Sequence, residues 1–158
     1  QEFLQGEWFR DDAPLDWTHS EEFRGIVYLY RDLIRLRTNR HGQTRGLTGQ
    51  HIHIYRVDDA RNMIAFRRWE LGGPGDDVVV VANFADAPVE NYSLGFPLAG
   101  QWKVRFNSDS RHYSKEFGDY QMNNVEAAEG EHDGLPAHGT ISLGPYSVAI
   151  LSQDAASG

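Results

Sequence analysis

The sequence predicts a mainly β protein: a Greek-key antiparallel β-sandwich preceded by one long amphipathic α-helix. Three observations carry that expectation. Phe23, Ile26, Val27, Tyr30, Leu33 and Ile34 recur at helical spacing early in the chain. From residue 51 the apolar period changes to two. Short strand-like runs then alternate with Gly-, Pro-, Asn- and Asp-rich breaks, the cadence of a sandwich.

Residues 1–20 read as a loop, because Gly6, Pro14 and several Asp residues interrupt any period. Ser20 is the expected N-cap of the helix, with Glu21 and Glu22 in the first turn where carboxylates suit the helix dipole. Thr18 and Glu21 offer an alternative capping box. Leu29 and Leu36 widen the apolar stripe, Arg35, Arg37 and Arg40 suit its C-terminal end, and Gly42 is the expected stop. Residues 51–57 and 63–69 form an expected hairpin across the turn Asp58–Asn62. In the first of these, Ile52, Ile54 and Arg56 share one face, with His53, Tyr55 and Val57 on the other. Gly72-Gly73-Pro74-Gly75 is a loop. Residues 77–84, with Val78-Val79-Val80-Val81 inside, are apolar on both faces and suit a central strand covered on both sides. Further strands fall at 92–96, 102–107, 140–143 and 147–151. Residues 108–139 read as one long polar excursion, and 154–158 as a polar tail.

Composition narrows the function classes. The chain has 158 residues, 40% hydrophobic and 24% charged, enough for one domain with a real core. A net charge of −8 argues against nucleic-acid binding, since an acidic surface repels phosphate. A neutral sugar polymer is indifferent to that charge. No apolar run reaches the roughly 18 residues of a membrane helix, so no membrane partner is expected. Cysteine is absent, which removes disulfides and thiolate metal sites. With no signal peptide visible at the start, a cytoplasmic location is the expectation.

Candidate chemistry is sparse. Asp11, Asp12 and Asp16 cluster in the opening loop beside Trp8 and Trp17. Carboxylates flanked by rings are what sugar chemistry uses, yet capping Asp residues on a solvated loop have the same pattern. His51 and His53 alternate and could share a zinc ion, but no third ligand stands at a recognisable spacing, which favours solvent-facing histidines. The same holds for His132, Asp133 and His138. Glu126, Glu129, Glu131 and Asp133 lack the spacing of a calcium loop and read as a solvated acidic stretch. No Gly-x-Ser-x-Gly elbow, phosphate loop or dinucleotide fingerprint occurs. No cofactor and no metal are expected.

Several motifs, in this order, resemble one family. Gln1-Glu2-Phe3, Glu7-Trp8, Asp11-Asp12 and Leu15-Asp16-Trp17 look like the segment after the eighth barrel strand of α-amylase-superfamily enzymes (glycoside hydrolase family 13), most of all the α-1,4-glucan branching enzymes. Leu29-Tyr30-Arg31-Asp32-Leu33-Ile34-Arg35-Leu36-Arg37 resembles the eighth barrel helix. Val80-Val81-Ala82-Asn83-Phe84, Tyr92, Gly100-Gln101-Trp102, Asn107-Ser108-Asp109 with Tyr113, and Leu143-Gly144-Pro145-Tyr146-Ser147 with Ile150-Leu151 resemble the C-terminal all-β domain.

The resemblance implies a (β/α)₈ barrel whose catalytic Asp, Glu and Asp would all precede residue 1. It divides the chain into 1–45, the end of the barrel; 46–153, the C-terminal all-β domain; and 154–158, a tail. The chain opens without a methionine, and one helix cannot bury its stripe alone. The expectation is therefore a catalytically empty tail of a larger, α-glucan-active enzyme. It would support the barrel, with Trp8, Asp11, Asp16 and Trp17 as substrate contacts and Glu2 in a structural role. Phe9-Arg10 stands where many branching enzymes carry an Asn-His-type pair, which leaves α-amylase and trehalose-releasing relatives open as parents. Two other readings remain. The chain could be a module holding α-glucan on exposed rings such as Trp69, Trp102 or Tyr120. It could also be a stand-alone sandwich that mediates protein contacts, with the helix stripe packing on the sheet or joining two copies as a dimer.

Overall fold

The computed structural model describes residues 4, 6, 11, 12 and 14–155. Two helices, α1 (His19–Glu22) and α2 (Arg24–Arg37), and a 3₁₀ turn (Arg45–Leu47) precede eight strands. These are β1 (His51–Asp58), β2 (Met63–Trp69), β3 (Val78–Asn83), β4 (Val89–Phe96), β5 (Gly100–Asn107), β6 (Val125–His132), β7 (Leu135–Leu143) and β8 (Ser147–Ser152). The strands run in the order β1-β2-β3-β8-β5-β6-β7-β4, each pairing antiparallel with its neighbours. The sheet curls so that its two halves face each other across one core. Val79 and Val81 of β3 and Leu151 of β8 meet Leu94 and Phe96 of β4, Trp102 of β5 and Ile141 of β7 there.

The Val78–Val81 run does what its two-sided apolarity implies. Val79 and Val81 face the interior, while Val78 and Val80 face outward beneath Leu29, Leu33 and Leu36 of α2. Asn83, at the end of the same strand, is buried. Its side-chain amide donates to the carbonyls of Ala87 (2.9 Å) and Gly144 (2.8 Å), joining two turns. The loop ahead of β3 is closed by buried carboxylates. Asp76 accepts the N–H groups of Glu70 (2.9 Å), Leu71 (2.8 Å) and Gly72 (3.2 Å), and Asp77 accepts Gly73 N–H (2.7 Å) and pairs with Arg67 (2.6 Å).

The structure corrects several expectations. The helix is not continuous: it breaks at Phe23 (φ −103°, ψ 33°). Ser20 is not the N-cap but lies inside α1, its hydroxyl donating to Trp17 C=O at 2.6 Å. Gly42 does not stop the helix. Asn39 does, in the left-handed region (φ 52°), with Asn39 N–H on Leu36 C=O (3.0 Å) and Arg40 N–H on Arg35 C=O (3.0 Å), a Schellman pattern.

The supposed excursion 108–139 contains β6 and the start of β7, turned by Asp133-Gly134, both at positive φ (52° and 72°), as a two-residue type I′ hairpin requires. Glu126, Glu129 and Glu131 therefore lie on a strand. In β1 the register shifts between Ile54 and Arg56, a bulge. Arg56 then stands opposite Ala65 on the inner face and Val57 opposite Ile64 on the outer one, the reverse of strict alternation.

That bulge helps to close the sandwich. β1 and β4 are the two ends of the sheet, yet Arg56 Nε donates to Tyr92 Oη of β4 at 2.7 Å. Arg56 also reaches Asp133 (3.2 Å) and Asp58 (3.3 Å), and Tyr92 Oη donates to Asp58 at 2.8 Å. The bond from Tyr92, with those from Arg61 and Arg56, holds the Asp58 carboxyl below the usual range.

Candidate functional site

The residues singled out near the start of the chain are placed as follows. Trp8 lies outside the described residues. Asp11 is exposed within a turn. Asp16 and Trp17 stand at the entrance to α1, where His19 N–H meets Asp16 C=O (3.3 Å) and Ser20 N–H meets Trp17 C=O (3.1 Å). The Asp16 carboxylate accepts Thr18 Oγ1–H (2.6 Å) and Thr18 N–H (3.0 Å), which holds its carboxyl below the ordinary value. The Trp17 side chain is 66% exposed. A carboxylate and an indole in sequence are side chains that, in general, accept sugar hydroxyls and stack on a pyranose ring, respectively. A carboxyl held in its charged form is a poor general acid.

Behind this segment, the loop 108–124 grips α2. Asp109 organises that loop by accepting the N–H groups of Gly118 (3.0 Å) and Tyr120 (2.9 Å). Tyr113 packs on Phe106 of β5 (5.7 Å between centroids), and its hydroxyl donates to Asp32 of α2 at 3.2 Å. Burial, followed by the Asp32 charge, pushes the Tyr113 hydroxyl far up, so it stays a neutral donor. His112 stacks on Tyr28 at 5.1 Å, and Arg31 lies over the Tyr28 ring at 4.4 Å. Gly25 lies against the Tyr113 backbone, so closely that a Cβ there would overlap the Tyr113 carbonyl oxygen. An open cleft of about 300 Å³ runs between Phe23, Gly25, Ile26 and Leu29 on the helical side and Tyr113, Ser114 and Phe117 on the loop. Neither Gly25 nor Asp32 is among the site residues that the sequence suggests. A glycine inside an apolar helical stripe costs about 1 kcal/mol against alanine, so its presence is a signal of close approach.

The other candidates separate. Trp102 is fully buried and donates Nε1–H to Leu98 C=O (2.9 Å); it is core and cannot stack on a ligand. Trp69 is half-buried, stacked on His51 (5.3 Å) with Arg67 over its ring (4.3 Å). Tyr120 is half-buried and donates to Glu90 at 2.6 Å. His51 and His53 are solvent-facing on β1. His138 meets Gly130 C=O (3.2 Å), and His132 sits 3.7 Å from Asp133. Among the described residues no three His, Asp or Glu side chains are placed to share a metal ion. No helix there is long and apolar enough to cross a membrane.

A curled antiparallel sheet with a helix on one outer face makes this an all-β domain. Residues 53–154 match the family described as the alpha amylase, C-terminal all-beta domain, and the chain belongs to that family. The 1,4-alpha-glucan branching enzyme GlgB of Rhodospirillum rubrum is 33% identical over 97% of this chain and 21% of its own length. The corresponding enzyme of Pseudomonas fluorescens is 35% identical over 97% of the chain and 21% of its length. The chain thus spans about a fifth of the curated relatives it matches. Among solved structures, an Anoxybacillus pullulanase complexed with maltotriose shares the fold over 87% of this chain and 16% of its own (TM-score 0.53, 20% identity). An α-amylase from H. orenii does so over 91% of this chain and 24% of its own (TM-score 0.50, 21% identity).

Proposed function

We propose that this chain serves as the C-terminal accessory domain of an α-glucan-active enzyme of the branching type, with residues 1–45 completing a catalytic barrel, 46–153 forming the β domain and 154–158 a tail. The single observation that carries this reading is the extent of the likeness. Branching enzymes match 94–97% of the chain, so the similarity runs through the N-terminal segment and α2 as well as the β domain.

The surface of the domain fits such a role. Leu29, Leu33 and Leu36 of α2 pack on the sheet, but Tyr30 is 38% and Ile34 55% exposed on the helix's other side. Ile52, Ile54 and Val57 add an exposed row on β1, in register with Arg68, Phe66 and Ile64 on the sheet face that bears α2. The domain's work is to hold the barrel against this face and keep it from water. Chemistry would belong to the barrel, as retaining double displacement on an α-1,4 bond with transfer to a glucan hydroxyl. Trp8, Asp11, Asp16 and Trp17 are the proposed glucan contacts. A cytoplasmic location accords with glucan storage chemistry.

The test compares the chain alone with the full polypeptide that carries it, both incubated with amylose. The chain alone is expected to leave iodine absorbance and reducing ends unchanged; turnover by it overturns the accessory role. The full polypeptide is expected to lower iodine absorbance without new reducing ends. A rise in reducing ends would make the parent a hydrolase. Sedimentation of the chain alone decides whether the exposed helix face instead pairs two copies.

A further inference from the structure

The geometry points to Tyr113 and Gly25 as positioning residues: through them the loop 108–124 holds the elbow between α1 and α2, and so aims the Asp16–Trp17 segment at glucan. This rests on the reading above that the segment touches substrate.

The mechanical path is continuous. At its base, Ser108 N–H bonds to Val148 C=O (2.9 Å) and Val148 N–H to Ser108 Oγ (2.8 Å), which ties the loop to β8. Asn107 Nδ2 donates to Tyr120 C=O (2.9 Å), and Asp109 ties Gly118 and Tyr120, so both arms of the loop are braced. From this frame Tyr113 reaches Asp32, His112 stacks on Tyr28, and the Tyr113 carbonyl abuts Gly25.

Those contacts lie within about three turns of Phe23, where the helix breaks. Beyond the break, α1 is one turn long, and the N–H groups of His19 and Ser20 donate its first hydrogen bonds to the carbonyls of Asp16 and Trp17. The direction of α1 is therefore the direction of Trp17. A one-turn helix has no stability of its own, so the hold on the elbow contributes to its aim. The cleft of about 300 Å³ beside Phe23 leaves room for it to swing once that hold is lost.

Two measurements test this. In the chain alone, hydrogen exchange at the amides of residues 24–33 is followed in Gly25→Ala and in Tyr113→Phe, with the β3 amides as the control that the sandwich stays folded. Gly25→Ala pushes the helix from the loop; Tyr113→Phe keeps the ring on Phe106 and removes only the bond to Asp32. Exchange is expected to quicken in both, more in Gly25→Ala. Unchanged exchange in both variants overturns the inference, whatever the protein's function.

In the full polypeptide, KM for amylose is expected to rise about three- to tenfold in Gly25→Ala, and less in Tyr113→Phe, with kcat within about twofold. Trp17→Ala is the companion variant. If it raises KM while the two elbow variants do not, the elbow is structural and the positioning role is overturned. If Trp17→Ala leaves KM unchanged, the segment is not a glucan contact, and it is the underlying reading that fails, taking the positioning role with it.

Discussion

The two faces of the sheet half β1-β2-β3-β8-β5 are covered very differently. On the inner face Val79, Val81, Ala149 and Leu151 are fully buried, opposed by Leu94, Phe96 and Leu143 from the other half. On the outer face α2 covers Val78, Val80, Phe106 and Ile150, yet every residue of α2 keeps some exposure. The inner layer is sealed, whereas the outer layer is only partly covered. A helix with apolar residues on two sides, packed on one, has sequence to spare for a second neighbour.

The largest way to break this comparison is to open the interior. Trp102→Ala is expected to cost about 3–5 kcal/mol and unfold the whole sandwich, read as a lowered urea midpoint by both circular dichroism and fluorescence. Asp76→Ala is expected to cost about 1–3 kcal/mol, because three N–H groups of the β2–β3 loop lose their acceptor. Leu33→Ala, on the half-covered layer, is expected to cost about 1–2 kcal/mol and to quicken exchange in α2 ahead of β3.

Asp58 sharpens the contrast through pH. Its carboxyl is lowered in the fold, chiefly by Tyr92 Oη, so the unfolded chain binds its proton more readily. Its contribution is present above the unfolded value of about 4 and is lost as pH falls through the lower folded value. Asp58→Asn should therefore show a shallower fall in urea midpoint between pH 6 and pH 3 than the parent chain. The smallest effect belongs to the open face: Ile34→Ser should change the stability of the isolated chain by less than about 0.5 kcal/mol, while lowering that of the full polypeptide. An equal loss in both would mean that the face has no further neighbour.

Elements that announce themselves by periodicity were legible. The valine run in β3 read as covered on both sides and is. A helix ahead of the strands, the first hairpin and the closing strands stand where their spacing placed them, although the helix breaks at Phe23 and packs through Leu29, Leu33 and Leu36 rather than through Tyr30 and Ile34. β6 was not legible, because Val125-Glu126-Ala127-Ala128-Glu129-Gly130 has little β propensity and is held by its neighbours. Its Asp133-Gly134 turn is the one local signal of the hairpin that the sequence carries. At the candidate site, residue type and resemblance point to Asp16 and Trp17. The loop that grips the helix behind them, 81 residues away in sequence at the Tyr113–Asp32 bond, left no local trace.

By itself the sequence determined the class: mainly β, one domain-sized core and an amphipathic helix in front, because period, composition and motif order are local properties of the chain. The tertiary structure alone decided how the sheet closes, which side of α2 is used, where the helix breaks and which rings are buried. Those outcomes depend on contacts between distant residues. Trp102 and Trp17 carry the same side chain, yet one is sealed at the centre and the other faces solvent. What surrounds each ring, rather than the ring itself, makes one of them core and leaves the other largely exposed.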